Sequence, residues 1–212
     1  MTTPRPPCDA PLVIVVGPTA AGKTSLALAL ARELDGEVVG ADAYQIYRGM
    51  DIGTAKPTAE ELGIVRHHLL DVADPDEHFD AHRFIELADL AISEAWCERK
   101  QLPIVAGGTG LYIRSLVRGL ADMPGADAEI RQKLDERAER EGSTTLHDEL
   151  AQIDPDYASR ISANDMVRIS RALEVHELTG RTITKIHEEH QRQPDRYRSI
   201  WFGVDPGRDI LR

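Results

Sequence analysis

The sequence predicts an α/β fold: a parallel sheet flanked by helices and interrupted by an all-helical insertion. Three observations carry that prediction. Short apolar runs bounded by Gly or Pro alternate with stretches of helical spacing, the pattern of βα units whose strands are covered on both faces. The first run, Leu12-Val13-Ile14-Val15-Val16, leads through Gly17-Pro18-Thr19-Ala20-Ala21-Gly22-Lys23-Thr24 into a helical stretch at 25–34, so a G-x-x-x-x-G-K-[ST] pattern stands between a strand and a helix. From 127 to about 190 the strand signal disappears while charge and helical periodicity persist. The expected sheet is therefore P-loop NTPase-like. Its catalytic core is expected over 11–122, a helical insertion over 123–192, and a return to the core over 193–212.

Each element has its own justification. Residues 1–11 are rich in Pro and read as a loose tail. In the loop from Gly17 to Thr24, glycines let the backbone wrap a phosphate with its N–H groups pointing inward. The helix N-terminus adds partial positive charge, Lys23 adds a full one, and the Thr24 hydroxyl suits Mg²⁺. The competing reading is a Gly-rich turn with no ligand. Asp35-Gly36 ends the first helix, with Gly available for a left-handed cap. Residues 37–41 read as a second strand that delivers Asp42-Ala43-Tyr44-Gln45 to its C-terminal end. The stretch 48–57 has no period and reads as a loop. Over 81–100, Phe84, Leu87, Ala88, Ala91, Ile92 and Ala95 fall on one helical face. Residues 102–106 form a third strand running into Gly107-Gly108-Thr109-Gly110. Residues 199–204 return to strand character, and Asp205-Pro206 is placed to cap a further helix.

Composition narrows the class. With 212 residues, 42% hydrophobic and 29% charged, the chain has the balance of a soluble globular protein. No apolar run is long enough to span a bilayer and the first residues lack a signal-peptide core, so no membrane partner is expected. Cys8 and Cys97 are the two cysteines, without metal-ligand spacing, which fits a reducing cytoplasm and no disulfide framework. A monomer is expected. The formal net charge of −11 argues against a nucleic-acid partner, yet basic residues cluster locally. Arg131, Lys133, Arg137 and Arg140 form one group, Arg160, Arg168 and Arg171 a second, Arg192, Arg196 and Arg198 a third. A solvated helix face and a nucleic-acid contact both remain open for these.

A parallel sheet gathers Lys23, Thr24, Asp42 and Thr109 on one rim, at the strands' C-terminal ends. Asp42 then has two readings: a helix cap or Mg²⁺ outer-sphere group, or a carboxylate that takes a proton from a nucleophile beside the phosphate. The Gly107–Gly110 run is a tight strand–helix turn on one reading. On the other, it admits a substrate close to the backbone, where Thr109 makes one hydrogen bond.

Several blocks together resemble a known family. They are the Gly17 to Thr24 loop, Asp42-Ala43-Tyr44-Gln45-Ile46-Tyr47-Arg48-Gly49-Met50-Asp51-Ile52-Gly53-Thr54-Ala55-Lys56-Pro57, His67-His68-Leu69-Leu70-Asp71, Gly107-Gly108-Thr109-Gly110-Leu111-Tyr112, and Asn164-Asp165-Met166-Val167-Arg168-Ile169-Ser170-Arg171-Ala172-Leu173-Glu174-Val175. In this order, from about Val13 onward, the chain resembles the tRNA dimethylallyltransferases. The resemblance implies transfer of a dimethylallyl group from dimethylallyl diphosphate to N6 of the adenosine beside the anticodon, position 37, with diphosphate released and Mg²⁺ assisting. It implies that the loop holds the leaving diphosphate, with Lys23 and Thr24 neutralising it. Asp42 is implied as the general base and Thr109 as a contact to the acceptor nucleotide. The tRNA anticodon stem-loop is implied to meet Asp42, Ala43, Tyr44, Gln45, Thr109, Arg131, Val167, Arg168, Ile169, Ser170 and Arg171.

Two departures accompany the resemblance. The family usually has Ser after the Asp, where this chain has Ala43, and the family continues past residue 212 through a helical portion that also touches tRNA. Three other functions fit parts of the pattern. An isopentenyltransferase for free adenine nucleotides shares the core, but gives the basic helical arm nothing to hold. A P-loop kinase would use Lys23 on ATP phosphates and Asp42 on a hydroxyl proton. A third possibility is a binding remnant without turnover.

Overall fold

The computed structural model describes residues 3–207. Five strands form one parallel sheet: β1 Leu12–Val16, β2 Gly36–Gly40, β3 His67–His68, β4 Leu102–Gly107 and β5 Ser199–Gly203, in the order β3-β2-β4-β1-β5. The order makes β1 an interior strand, between β4 and β5, with Ile14 opposite Val105 on one side and Trp201 on the other. A strand so placed needs apolar side chains on both faces, which is why Leu12-Val13-Ile14-Val15 is an unbroken apolar run and all four are buried.

Two compact units divide the chain. One comprises Pro4 to Gly119 together with the stretch from Asp195 onward; the other comprises Leu120 to Pro194 and Thr3. In the sheet unit, α1 (Lys23–Glu33) connects β1 to β2 and packs Ala27 and Ala31 on Val13, Val15, Val38 and Ile104. Small alanines at that contact let helix and sheet approach closely. Two short elements follow β2 that the sequence reading did not resolve: α2 (Ala59–Ile64), opened by a Thr58–Glu61 capping box, and β3, paired with β2 alone. Helix α3 (Ala81–Ser93) starts on Asp80, whose carboxylate accepts from the N–H groups of His82 and Arg83. It buries Phe84, Ala88, Ala91 and Ile92 as its periodicity requires. Its last turn widens to π geometry over Glu94–Glu98, so the expected helix of 81–100 is α-helical only to Ser93. Helix α4 (Gly110–Arg118) follows β4 directly.

Three expectations change in detail. Asp35, at φ +50°, takes the left-handed position after α1, and Gly36 opens β2 instead. The described part of the N-terminal segment is tied down. Ala10 is fully buried, the Pro4 carbonyl accepts from Arg196 Nε, and the Leu12 N–H donates to the Arg198 carbonyl. Arg196 is no surface cation, because its guanidinium lies 2.6 Å from Asp89, which also accepts from the Tyr197 hydroxyl. The thiols of Cys8 and Cys97, distant in sequence, come within side-chain hydrogen-bonding reach and both are free. The helix expected after Asp205-Pro206 falls outside the described residues.

Every regular element among the described residues of the second unit is a helix: α5 (Ala128–Glu141), α6 (Ser143–Ile153), α7 (Pro155–Ala158), α8 (Met166–Thr179) and α9 (Ile183–Gln191). Ile130, Leu134, Leu146, Leu150, Ile169 and Leu173 form its core. Each such side chain contributes about 1.5–3 kcal/mol when fully buried. No helix among the described residues is long and apolar enough to cross a membrane.

Candidate functional site

The C-terminal rim of the sheet holds a cleft of about 280 Å³ lined by Thr19 to Thr24, Asp42, Gln45, Thr54, Ala55, Ala106 and Gly107. Three strand ends thus converge there: β1 through the Gly17 to Thr24 loop, β2 through Asp42, and β4 through Gly107. What lets β2 and β4 end side by side is the missing side chain of Gly107. A Cβ there would stand 2.1 Å from the Ala41 carbonyl oxygen. Gly17 serves a similar purpose, since its Cβ would meet the Val204 carbonyl at 2.3 Å. Neither Gly17 nor Pro18 lines the cleft itself; the Pro18 carbonyl instead accepts a 2.8 Å hydrogen bond from Lys23 Nζ.

Asp42 is held by half. Its Oδ1 accepts from the N–H groups of Tyr44 (3.0 Å) and Gln45 (3.4 Å), capping the turn after β2. Its Oδ2 lies across Gly108 from Lys23 Nζ: the two stand 3.6 and 4.0 Å from the place a Gly108 Cβ would take. The cap reading and the proton-acceptor reading of Asp42 are therefore compatible, each using a different oxygen. Burial holds the Lys23 ammonium below its ordinary pKa, with the Asp42 charge pulling the other way.

Thr109 does not line the cleft but is tied to the segment that carries Asp42. Its N–H donates to the Ala41 carbonyl at 3.1 Å, and its hydroxyl accepts from the Ala43 N–H at 2.9 Å. That leaves the hydroxyl proton free to donate. Because Ala43 takes part through its backbone, a Ser at this position would add a hydroxyl without altering the contact.

The far wall is a clamped loop. Gln45 Nε2 donates to the carbonyls of Thr54 (3.0 Å) and Ala55 (2.9 Å), and Lys56 Nζ donates to Asp51, Asp71 and the Tyr47 carbonyl, all at 2.7 Å. Burial lowers the Lys56 pKa, but the two carboxylates outweigh it and hold the ammonium above its usual value. Ala20 and Ala55, both cleft residues, sit in the left-handed region at φ +64° and +52°. Non-glycine residues there are strained by on the order of 1 kcal/mol or more, a cost that clusters at functional sites.

The basic residues of the helical unit divide sharply. Glu174 is fully buried in α8 and accepts from Arg131 (3.0 and 3.2 Å), Arg171 (2.6 Å) and the Asp127 N–H (2.7 Å). Burial would raise its pKa, but those donors outweigh it and hold the carboxyl below its ordinary value. Arg171 also donates to the Pro124 carbonyl at 2.6 Å. Two of the arginines expected to face tRNA are thus bound to an internal carboxylate. In the stretch 167–171, Ile169 and Ser170 are buried, so their side chains have no external reach, whereas Val167 and Arg168 stand exposed. Tyr44 is exposed as well.

A family model for IPP transferase matches residues 45–212. The chain belongs to the IPP transferase family. It is 51% identical over 200 residues to the tRNA dimethylallyltransferase of Anaeromyxobacter dehalogenans strain 2CP-C, covering 94% of this chain and 66% of that protein. To the tRNA dimethylallyltransferase of Geobacter sulfurreducens it is 50% identical, covering 94% and 64%. Among solved structures it is similar to the full-length tRNA isopentenylpyrophosphate transferase of Bacillus halodurans: TM-score 0.59, 42% identity, 96% of this chain and 62% of that one. A eukaryotic dimethylallyltransferase acting on tRNA gives TM-score 0.73 at 27% identity, covering 92% and 48%. The chain spans about two thirds of the length of the curated relatives it matches. From the sequence alone Lys56 is one residue of a periodless loop, and Arg131 one member of a basic cluster. A lone Lys between Asp51 and Asp71 was the available signal for the first; nothing local marked Glu174 as the partner of the second.

Proposed function

We propose that this chain carries the prenyl-transfer site of a tRNA dimethylallyltransferase, moving a dimethylallyl group from its diphosphate to N6 of the adenosine at position 37, beside the anticodon. The observation that carries the reading is the single cleft in which a half-free carboxylate, Asp42, stands beside Lys23 and a glycine-bounded loop at a helix N-terminus. An exocyclic adenine amine is a poor nucleophile because its lone pair is delocalised into the ring. It becomes competent as a proton leaves, and Asp42 Oδ2 is the group to receive that proton. The proton of the Thr109 hydroxyl is free to donate to the acceptor nucleotide. Lys23 and the N-terminus of α1 offset the charge that grows on the departing diphosphate.

Oxygen donors suit Mg²⁺, and the Thr24 hydroxyl lines the cleft together with the Asp42 carboxylate, so the residues fit that ion. Mg²⁺ would be held by Thr24 and the diphosphate oxygens, where it would add charge stabilisation of the leaving group. Of the stretch 167–171 on α8, Val167 and Arg168 are the exposed side chains that would meet the anticodon stem-loop, in a protein expected to work in the cytoplasm.

The test is single-turnover transfer from radiolabelled dimethylallyl diphosphate to an anticodon stem-loop RNA, with ATP turnover measured in parallel. Label on the RNA and competition by inorganic pyrophosphate support the reading. Turnover of ATP with an inert prenyl donor would move the site to phosphoryl transfer.

A further inference from the structure

The His67-His68 pair, singled out in the sequence, has no part in the cleft chemistry above. His68 has a structural partner: its Nε2 lies 2.6 Å from the buried Glu37 carboxylate, which Arg99 also grips. His67 is placed differently. Its Nδ1 lies 3.0 Å from the Val65 carbonyl, and since a carbonyl only accepts, Nδ1 carries the proton. Burial holds this imidazole below its ordinary pKa, which favours the neutral ring. The lone pair is then on Nε2, which is buried and meets no donor from the described protein. Buried acceptors are almost always satisfied, if need be by water.

Beside His67 is a small cavity of about 30 Å³, lined also by Thr24, Gln45 and Ala106. Those three residues line the cleft too, so the cavity sits directly behind the cleft wall. Its volume admits one water. The available valences are complementary. Gln45 spends both amide protons on Thr54 and Ala55, which leaves its Oε1 as an acceptor. A threonine hydroxyl that offers a lone pair to a cation must send its proton elsewhere. We propose that this cavity is a hydration site whose single ordered water donates to His67 Nε2 and Gln45 Oε1 and accepts the Thr24 proton, making His67 a positioning residue for the Thr24 oxygen. The positioning part rests on the reading of the Gly17 to Thr24 loop as a diphosphate site; the hydration site does not. Through this water, His67 aims the Thr24 lone pairs into the cleft although the ring itself never touches substrate.

The experiment has two arms. High-resolution diffraction on the chain should find one water within hydrogen-bond distance of His67 Nε2, Gln45 Oε1 and the Thr24 hydroxyl, and a dry cavity overturns the proposal. Calorimetry with inorganic pyrophosphate, with and without magnesium, tests the positioning. His67→Asn lacks an acceptor at the Nε2 position, whereas the Oε1 of His67→Gln replaces it. The Asn variant should weaken magnesium pyrophosphate binding about tenfold, the usual scale for losing such an outer contact, while metal-free pyrophosphate binding stays at the parent value. The Gln variant should recover most of the loss. Equal losses with and without magnesium, no loss at all, or a Gln variant as weak as Asn each overturn the positioning role. Failure of the parent chain to bind pyrophosphate under either condition overturns the diphosphate reading and the positioning role together, and diffraction alone then decides the hydration site.

Discussion

Replacing Arg131 by Ala separates two tasks that an arginine on α5 could perform. Its guanidinium makes two charged hydrogen bonds, 3.0 and 3.2 Å, to Glu174, which has no exposed surface. Stripping every partner from such a carboxylate costs about 3–5 kcal/mol. Arg171 at 2.6 Å and the Asp127 N–H at 2.7 Å remain, and the Arg131 side chain is 47% exposed, so solvent screens part of the loss. A charged hydrogen bond is worth about 1.5–3 kcal/mol, and about 2 kcal/mol is the expected cost here. For a helical unit of this size that lowers Tm by roughly 8–16 °C. The assay is thermal unfolding by far-ultraviolet circular dichroism, paired with stem-loop affinity at two salt concentrations. Arg168→Ala is the contrast. That side chain is 62% exposed and, among the described residues, bonded only to Asp165, so stability should change by less than about 0.5 kcal/mol, while stem-loop binding weakens and its salt slope flattens. An Arg131→Ala protein that melts with the parent but loses RNA affinity would refute the assignment of Arg131 to the fold. The acid limb checks the same network. Because the folded Glu174 carboxyl is held below its unfolded value, its contribution is complete above about pH 4.3 and is lost as pH falls through the folded pKa. Glu174→Gln should therefore be less stable than the parent at neutral pH, with the gap closing in acid.

The remaining expectations concern the cleft. Asp42→Asn keeps an oxygen to accept from Tyr44 and Gln45, so Tm and pyrophosphate affinity should hold while single-turnover transfer falls on the order of a hundredfold or more; transfer at the parent rate would leave Asp42 only its capping role. Gly107→Ala and Gly108→Ala form a pair. The first drives a Cβ to 2.1 Å from the Ala41 carbonyl and should cost about 3 kcal/mol or more, whereas the second meets Asp42 at an ordinary 3.6 Å and should fold as the parent does, which urea unfolding reads directly. Lys56→Met leaves Asp51 and Asp71 facing one another without the ammonium between them, so the loop carrying Thr54 and Ala55 should leave the cleft wall. KM for the prenyl donor should then rise about tenfold, and an unchanged KM would mean that the loop does not shape the donor site.

The parts of this protein that were legible in the sequence are those whose physical cause is local. The β1 run, the glycine-bounded loop and the start of α1 are consecutive, and each constrains the next, so pattern and structure coincide to within two residues. The apolar stripe of α3 was equally plain, because helical period is written in the side chains themselves. Elements whose cause is tertiary were not legible. The two-residue β3 exists because Val38 and Val39 offer it a ladder, and neither His67 nor His68 advertises a strand. The π turn over Glu94–Glu98 likewise has no mark in the helical period of the sequence.

Charge misleads for the same reason. Arg131, Arg171 and Arg196 read as members of basic clusters because sequence displays a cation and hides its counter-ion. Glu174 lies 43 positions from Arg131, and Asp89 lies 107 positions from Arg196, so no window can pair them. Asp42 is the instructive exception. The sequence left it with two readings, cap or base, as though one excluded the other. The turn after β2 needs one acceptor and the proposed chemistry needs one, and a carboxylate has two oxygens. Oδ1 closes the turn and leaves Oδ2 on the Gly108 side, where Lys23 Nζ also lies, so the capping contact would set the position of the oxygen that the proposed chemistry uses. That coupling accounts for an acidic residue at this strand end when Ser or Thr would cap the turn as well: a hydroxyl has no second oxygen to leave in the cleft.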